Sequence, residues 1–468
     1  MISKKSLETL KEMYSKEKEE ILNQFFNFLR IPSISSEPAF QPHMIECAQW
    51  LIQRLEKLGF TVEQWECQGH HPVIFATHLH AGDDKPTLLI YNHYDVQPVD
   101  PLEDWISPPF EPTIRNGEIY ARGAVDDKGQ CYYVLQAIRL LLERDGKLPV
   151  NIKWCIEGEE ECSSRGLANL LKTEKDCLKA DYLAIVDSGM NTPETPAVTL
   201  GARGIITMDV CAQGSTVDLH SGANGGVTFN PIHALVEVLS KLRDADGRVT
   251  IPGFYDDVVE MPDAEKQTLA LNFDAAAYEK MFGAKATGGE KGFSPLEREW
   301  LRPTIEVNGI TGGYRGDGFK TVIPAKASAK VSCRLVPNQQ PAVMAKRVAK
   351  YIESLAPAGI KLEVKLHEGG GEAVRTTPNS KVAQAFAAAS LEVFGKPCEY
   401  LMTGGSIPIV AELTRISGAE MVLVGVGLPD DLIHAPNEHF GVDRLEKGTL
   451  VTARAIEILG QGHDTAAH

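Results

Sequence analysis

Two histidines and a group of carboxylates, spread over five short segments, are the residues of this chain best suited to chemistry: His93 with Asp95, Asp126-Asp127, Glu160-Glu161, Asp187 and His434. Imidazole nitrogens and carboxylate oxygens are the donors that zinc, manganese and cobalt accept. Singly, each segment has an ordinary explanation. A His-x-Asp pair can be a loop contact, and an acidic pair at a helix start can cap the free N–H groups there. The run Glu159-Glu160-Glu161 can be a solvated face, Asp187 can cap a turn, and His434 can be an idle loop histidine. Their placement argues for a common role. Apolar, strand-like runs at residues 88–91, 152–156, 182–186 and 421–426 precede four of the five segments. In an open α/β sheet, ligands gather outside the carboxyl ends of the strands.

The spacing within the segments suggests a division of labour. Side chains two apart on an extended segment share one side. Asp95 can therefore take the second ring N–H of a metal-bound His93. Adjacent Glu160 and Glu161 allow one carboxylate to hold metal while its neighbour serves as a base. His220 lies in the polar, glycine-flanked stretch 218–222 and is expected to be exposed. Arg334 closes an alternating strand, where its guanidinium fits either a substrate carboxylate or a surface ion pair. Gly404, Gly405 and Ser406 form a glycine-rich turn whose N–H groups suit an anion. That turn lacks the lysine-bearing pattern of a nucleotide phosphate loop.

These residues need a scaffold to bring them together. At 468 residues the chain is long enough for two domains. Strand and helix alternate up to about residue 199, with near-continuous apolar strands, which predicts a mostly parallel sheet covered on both faces. Between residues 204 and 367 the order becomes strand, helix, charged insertion, two strands, helix, strand. That order predicts a ferredoxin-like α+β sandwich. An Ala-rich helix after Thr377-Pro378 and the run at 421–427 resume the first pattern. The expected organisation is thus α/β, with 1–199 and 377–468 forming one domain and 200–376 inserted into it. The insertion at 254–300 carries no readable period.

Bulk properties exclude several classes. A formal net charge of −16 opposes a nucleic-acid partner. No run of about 18 apolar residues is present, so a membrane span is not expected. The first twenty residues lack the apolar stretch of a secretory signal. Nine dispersed cysteines without a Cys-x-x-Cys pair suit neither a disulfide framework nor a zinc-thiolate site, and predict a cytoplasmic protein.

Taken in order, the segments 91–98, 121–129, 157–167, 181–187, 218–226, 320–337, 404–408 and 434–438 resemble the co-catalytic zinc peptidases. That family includes carnosinase, carboxypeptidase G, aminoacylase and succinyl-diaminopimelate desuccinylase. Segments 218–226 and 320–337 most resemble its cytosolic dipeptidase and carnosinase branch. The resemblance implies a zinc-peptidase-like catalytic domain with an inserted ferredoxin-like lid and dimerisation domain. It implies two divalent ions per subunit, zinc first, with manganese or cobalt as alternatives. Asp126 would bridge them, His93 and Asp187 would complete one site, and Glu161 and His434 the other. Glu160 would be the general base and Asp95 the partner of His93. Asp126-Asp127 would be joined by a cis peptide. His220 would reach the active site of the other subunit of a homodimer, while Arg334, Gly404, Gly405 and Ser406 would hold the substrate's carboxylate end. Three ligand carboxylates and one shared hydroxide balance two divalent ions, leaving no uncompensated buried charge.

The implied activity is metal-dependent amide hydrolysis in small peptides. A dipeptide is the expected substrate, because N-acyl-specific and carboxypeptidase relatives tend to carry Glu where this chain has Asp187. An N-acyl-amino-acid deacylase of the acetylornithine deacetylase or desuccinylase type is the alternative. A metal-holding protein without turnover is a third reading, and an intact Glu160 counts against it.

Overall fold

The computed structural model describes residues 2–367 and 370–461. Residue 1, residues 462–468 and positions 368–369 of the expected domain segments lie outside the described residues. The chain forms two compact units. The first comprises Met1–Gly201, Thr376–Leu401 and Glu412–His468, and the second Ala202–Arg375 and Met402–Ala411.

The first unit is built on a mixed, mainly parallel sheet. In sheet order, seven of its nine strands are Thr61–Trp65, Val73–His78, Asn151–Glu157, Thr87–His93, Tyr182–Ile185, Glu420–Val424 and Ala197–Ala202. The four strands from Asn151–Glu157 to Glu420–Val424 pair in parallel, and antiparallel neighbours flank them. Covered on both faces, Thr87–His93 and Tyr182–Ile185 are buried almost throughout, which is why their sequences read as continuous apolar runs rather than alternations. Helix Lys128–Asp145 crosses back over the sheet and stops at Gly146, whose φ of 70° lets its N–H reach Leu142 O. Helix Val442–Gln461 packs against it closely, because Gly448 offers no Cβ where one would lie 2.6 Å from the Tyr133 ring. The fully buried Lys128 donates from Nζ to Phe28 O and Ile31 O at 3.1 and 2.5 Å, tying the end of helix Ile2–Leu29 to the start of the crossing helix.

The second unit holds a separate antiparallel sheet ordered Thr304–Gly312, Lys326–Leu335, Gly204–Gln213 and Lys361–Leu366. Helices Pro231–Ser240 and Pro341–Ser354 cover one face. This is the ferredoxin-like order that the sequence pattern predicts. Burial alternates strictly along Gly204–Gln213, so Ile206, Met208 and Val210 enter a core with Leu235, Val331 and Met344. The insertion without a period contains three short helices, Asp263–Lys266, Ala275–Phe282 and Pro295–Trp300. The last is opened by a capping box between Ser294 and Glu297. Among the described residues, no helix is long and apolar enough to cross a membrane.

Candidate active site

The ligand candidates of the first unit stand at the ends of regular elements or in the loops between them. His93 closes its strand opposite Glu157. Glu160 and Glu161 form one turn of 3-10 helix just beyond Glu157, and Asp187 follows strand Tyr182–Ile185. Asp126 precedes helix Lys128–Asp145, and His434 lies in the loop between Glu420–Val424 and His439–Gly441. These positions converge. His93 Nε2 lies 3.1 Å from Asp126 Oδ1 and 3.8 Å from Asp187 Oδ2. His434 Nε2 lies 2.9 Å from Asp126 Oδ2 and 3.3 Å from Glu161 Oε2. Two trios result, His93–Asp126–Asp187 and Asp126–Glu161–His434, each with ligand atoms within 4.8 Å of one another. Asp126 belongs to both and turns one oxygen toward each.

The donor set fits divalent metal. Two imidazole nitrogens and three carboxylates are an ordinary complement for zinc, manganese or cobalt. Glu161 Oε1 is buried without a hydrogen-bond partner, so one lone-pair direction is free for a cation. Burial and the nearby Asp126 push the Glu161 carboxyl up, against hydrogen bonding from His434. Burial pushes Asp187 to about 7, with Asp126 and Glu161 adding to it. For Asp126, burial acts upward but the hydrogen bonds from His434 and His93 outweigh it and hold the carboxyl well below the usual range. Hydrogen bonding to Asp126 first and to Glu161 second lifts His434 to about 10. The site concentrates negative charge in a buried place, which is the field that a bound divalent ion neutralises.

Asp95 organises the centre beyond its expected partnership. His93 Nδ1 lies 3.1 Å from the Asp95 carbonyl and 3.3 Å from Oδ1. The Asp95 carboxylate also accepts from Ser35 Oγ and from the backbone N–H groups of Glu160 and Glu161, at 2.6, 3.2 and 3.1 Å. One buried side chain thereby sets a ligand ring and the turn carrying the two glutamates. Among the described residues, no donor reaches the Glu160 carboxylate, which leaves it available to a reacting group. Burial raises Glu160 to about 9, with Asp187 and Glu161 adding and His93 opposing.

The peptide between Asp126 and Asp127 is cis. Asp127 stands at the helix start but makes no capping bond. Its carboxylate accepts instead from Asn92 Nδ2 and His93 N at 2.8 and 3.1 Å. Several supporting residues escaped the sequence reading. Glu157 accepts from Tyr91 Oη and Ser164 Oγ. Glu159, the first of the acidic run, is buried and accepts from His70 Nδ1, His71 N and Gly166 N, fixing the glutamate turn from behind. Glu438 is fully buried against residues 121–126. The signal for Glu157 was a carboxylate ending a largely apolar run. For Glu438 it was an acid set within the histidine-bearing loop. The His434 loop itself carries three left-handed non-glycine residues, Leu432, His434 and Asn437, with φ of 57°, 62° and 67°. Each such conformation costs about 1–3 kcal/mol and is kept only where the surroundings impose it.

In the second unit, Arg334 Nη1 donates to Ser406 Oγ at 2.8 Å, and Ser406 Oγ in turn donates to the Arg203 carbonyl. Arg203, which the sequence reading did not single out, is buried and holds the Gly404 carbonyl at 3.2 Å. Neither guanidinium has a carboxylate partner among the described residues, and burial lowers Arg203 to about 10 with Arg334 adding to it. This corner favours an anion. The Gly405 N–H, however, is already taken by Thr403 Oγ1 at 3.1 Å. His220 is exposed, and its Nδ1 accepts from Gly222 N. Among the described residues, its partners belong neither to the trios nor to the Arg334–Ser406 group.

The chain resembles known proteins over nearly its full length. Cys-Gly metallodipeptidase dug1 of Schizosaccharomyces pombe is 31% identical over 95% of this chain and 96% of its own. The human Beta-Ala-His dipeptidase is 29% identical over 92% of this chain and 88% of its own. The crystal structure of the metallo-carboxypeptidase Sso-CP2 from Sulfolobus solfataricus superposes with a TM-score of 0.85 at 34% identity, covering 94% of this chain and 99% of that one. Residues 89–458, which include every member of both trios, match the profile of the peptidase family M20/M25/M40, and the chain belongs to that family.

Proposed function

We propose that this protein is a dipeptidase that cleaves the peptide bond of small unblocked peptides, with two divalent ions at the paired trios and Glu160 as general base. The observation that carries this reading is the Asp126 carboxylate, with one oxygen 3.1 Å from His93 Nε2 and the other 2.9 Å from His434 Nε2. A carboxylate shared in this way supports a dinuclear centre over two separate sites. The substrate class is supported by the curated relatives, which are named for dipeptides.

When bound, the two ions supply Lewis-acid activation of water and of the scissile carbonyl. Glu160 takes the proton of the attacking water and returns it to the leaving amine, a role that its donor-free carboxylate suits. Asp95 keeps Glu160 and Glu161 in place through their backbone N–H groups. Arg334 and Ser406 receive the carboxylate end of the substrate, and Gly404 and Gly405 shape the turn beside them. His220 stabilises the developing oxyanion of the partner's site in a homodimer. In this reading residues 1–199 and 377–468 are the catalytic domain and 200–376 the lid and dimerisation domain. Zinc is the native metal. The cytoplasm is the proposed location, which nine free cysteines suit.

A second reading, carboxypeptidase action on longer peptides, is favoured by the 34% identity to Sso-CP2. A substrate panel separates the possibilities: unblocked dipeptides, the same dipeptides extended at the amino end, and N-acetyl or N-succinyl amino acids. Each is assayed after chelation and after adding back zinc, manganese or cobalt. Preferred turnover of unblocked dipeptides, abolished by chelator and restored by metal, is the expected result. Faster cleavage of extended or N-acyl substrates would replace the reading, and no turnover by protein carrying two metal equivalents would refute it.

A further inference from the structure

Glu438 belongs to neither trio, yet an unusual amount of the site's backbone is built on it. Its Oε2 accepts from Arg122 Nη1 and Gly123 N at 2.8 and 2.9 Å, and its Oε1 from Val125 N and Asp126 N at 3.0 and 3.1 Å. Its own carbonyl accepts from Ala121 N at 3.1 Å. Residues 121–126 therefore fold around one carboxylate. Gly123, at φ 80°, permits this curvature, and a Cβ there would lie 2.7 Å from Val96 Cγ1. The last residue so held is Asp126, the shared member of the two trios.

Glu438 also ends the loop that presents His434. The neck of that loop is closed by His439 N donating to Asp431 O at 3.0 Å. On the other side of His434, the fully buried Asp431 accepts from both terminal nitrogens of Arg444 at 2.6 Å. Between these anchors lie the three left-handed residues Leu432, His434 and Asn437. A loop left to itself would relax from such a conformation. Metal–ligand bonds of roughly 2.0–2.2 Å tolerate little drift of either end.

We propose that Glu438 is a positioning residue that locks the bridging Asp126 and the terminal His434 to each other, so that the Asp126–Glu161–His434 metal site depends on its acceptor contacts. The proposal rests on the dinuclear reading above. The two trios differ in this respect. His93 and Asp187 are set by strands Thr87–His93 and Tyr182–Ile185, whereas His434 is set only by its loop. Loss of the Glu438 contacts therefore weakens the second metal site more than the first.

Glu438→Gln tests this. The amide keeps the shape, but its –NH2 must face one of the two pairs of donors, so that side loses its acceptor and meets a donor instead. Cobalt titration of the metal-free protein, followed by calorimetry and by the visible spectrum of the bound ion, reads the two sites without reference to activity. The expected result is a folded variant that binds its first equivalent like the native protein and its second at least tenfold more weakly, with the second-site spectrum altered. Binding of both equivalents within threefold of native affinity would overturn the proposal. So would equal weakening of both, which is what general loosening produces. Leu141→Ala, a buried truncation in helix Lys128–Asp145, gives the benchmark for plain destabilisation. It should keep both equivalents, and selective loss of the second there would also overturn the proposal. If Glu438→Gln does not fold, Glu438→Asp keeps the charge but withdraws it by one methylene, and native-like binding of the second equivalent by that variant refutes the idea. Failure of the native protein to bind two equivalents would instead refute the dinuclear reading itself.

Discussion

Replacing Glu160 with Gln separates proton transfer from metal binding, because the structure gives Glu160 no part in either trio. No donor among the described residues reaches its carboxylate, so the amide breaks no existing bond. Its backbone N–H remains on Asp95 Oδ1 at 3.2 Å, which preserves the turn that carries Glu161. The substitution therefore removes a proton acceptor and little else. A positioned general base is worth roughly 10²–10⁴ in rate. At 1.36 kcal/mol for each tenfold, that is a loss of about 3–5 kcal/mol of transition-state stabilisation. The assay is steady-state hydrolysis of the best dipeptide, with metal content measured on the same sample. The expected result is a kcat lower by about 10²–10⁴, KM within about threefold, and two metal equivalents retained. Because burial and neighbouring carboxylates already disfavour the charged form of Glu160, a neutral amide should not lower the melting temperature. A kcat within tenfold of native would remove Glu160 from the chemistry, and loss of metal would make it a ligand.

Three further outcomes follow from the same geometry. Asp126→Ala should abolish binding of both ions, since each trio loses its shared member; two full equivalents by elemental analysis would contradict the bridging arrangement. Chelation should lower the melting temperature, because a ligand present at 100 times its Kd contributes about 2.7 kcal/mol to the folded state. An unchanged melting curve would mean that the described ligands hold no ion in solution. Arg334→Ala should raise KM about 10- to 100-fold for substrates with a free carboxyl terminus, the range set by losing one charge-assisted contact of about 1.5–3 kcal/mol. The corresponding C-terminal amides should be nearly indifferent to it, and equal losses on both would assign Arg334 a structural role.

The candidate ligands were legible in the sequence because most of them follow a pattern that the chain cannot hide. An apolar run ends, and a metal-type side chain stands just beyond it, as at His93 and Asp187. The parallel sheet and the ferredoxin-like order were legible for the same reason, since burial on one or both faces dictates the hydrophobic period. The helper residues were not. Glu438 and Glu159 act by accepting backbone N–H groups from distant segments, and no spacing rule foretells where such groups will converge. Asp127 looked like a helix cap, but its carboxylate is drawn to Asn92 and His93 instead. The 254–300 stretch had no period because its helices run for only 4, 8 and 6 residues, too short to repeat a face.

The distribution of positive charge leaves this acidic centre without a fixed counter-cation. Among the described residues, no lysine or arginine pairs with Asp126, Glu160, Glu161 or Asp187. The nearby basic side chains are all committed elsewhere: Arg122 to Glu438, Arg444 to Asp431 and Glu118, and Lys128 to two carbonyls. Had either of these guanidiniums met a carboxylate of the trios instead, a fixed cation would have filled that field and taken the oxygen lone pairs with it. Glu118, Asp431 and His439 illustrate the point, since they form a third group with metal-type donors. There Arg444 sits on both carboxylates at 2.6–3.0 Å and makes the group a structural brace. The two kinds of acidic cluster differ less in their acids than in whether an arginine has been placed among them. Supporting carboxylates carry the protein's own counter-charges, and the carboxylates of the two trios carry none.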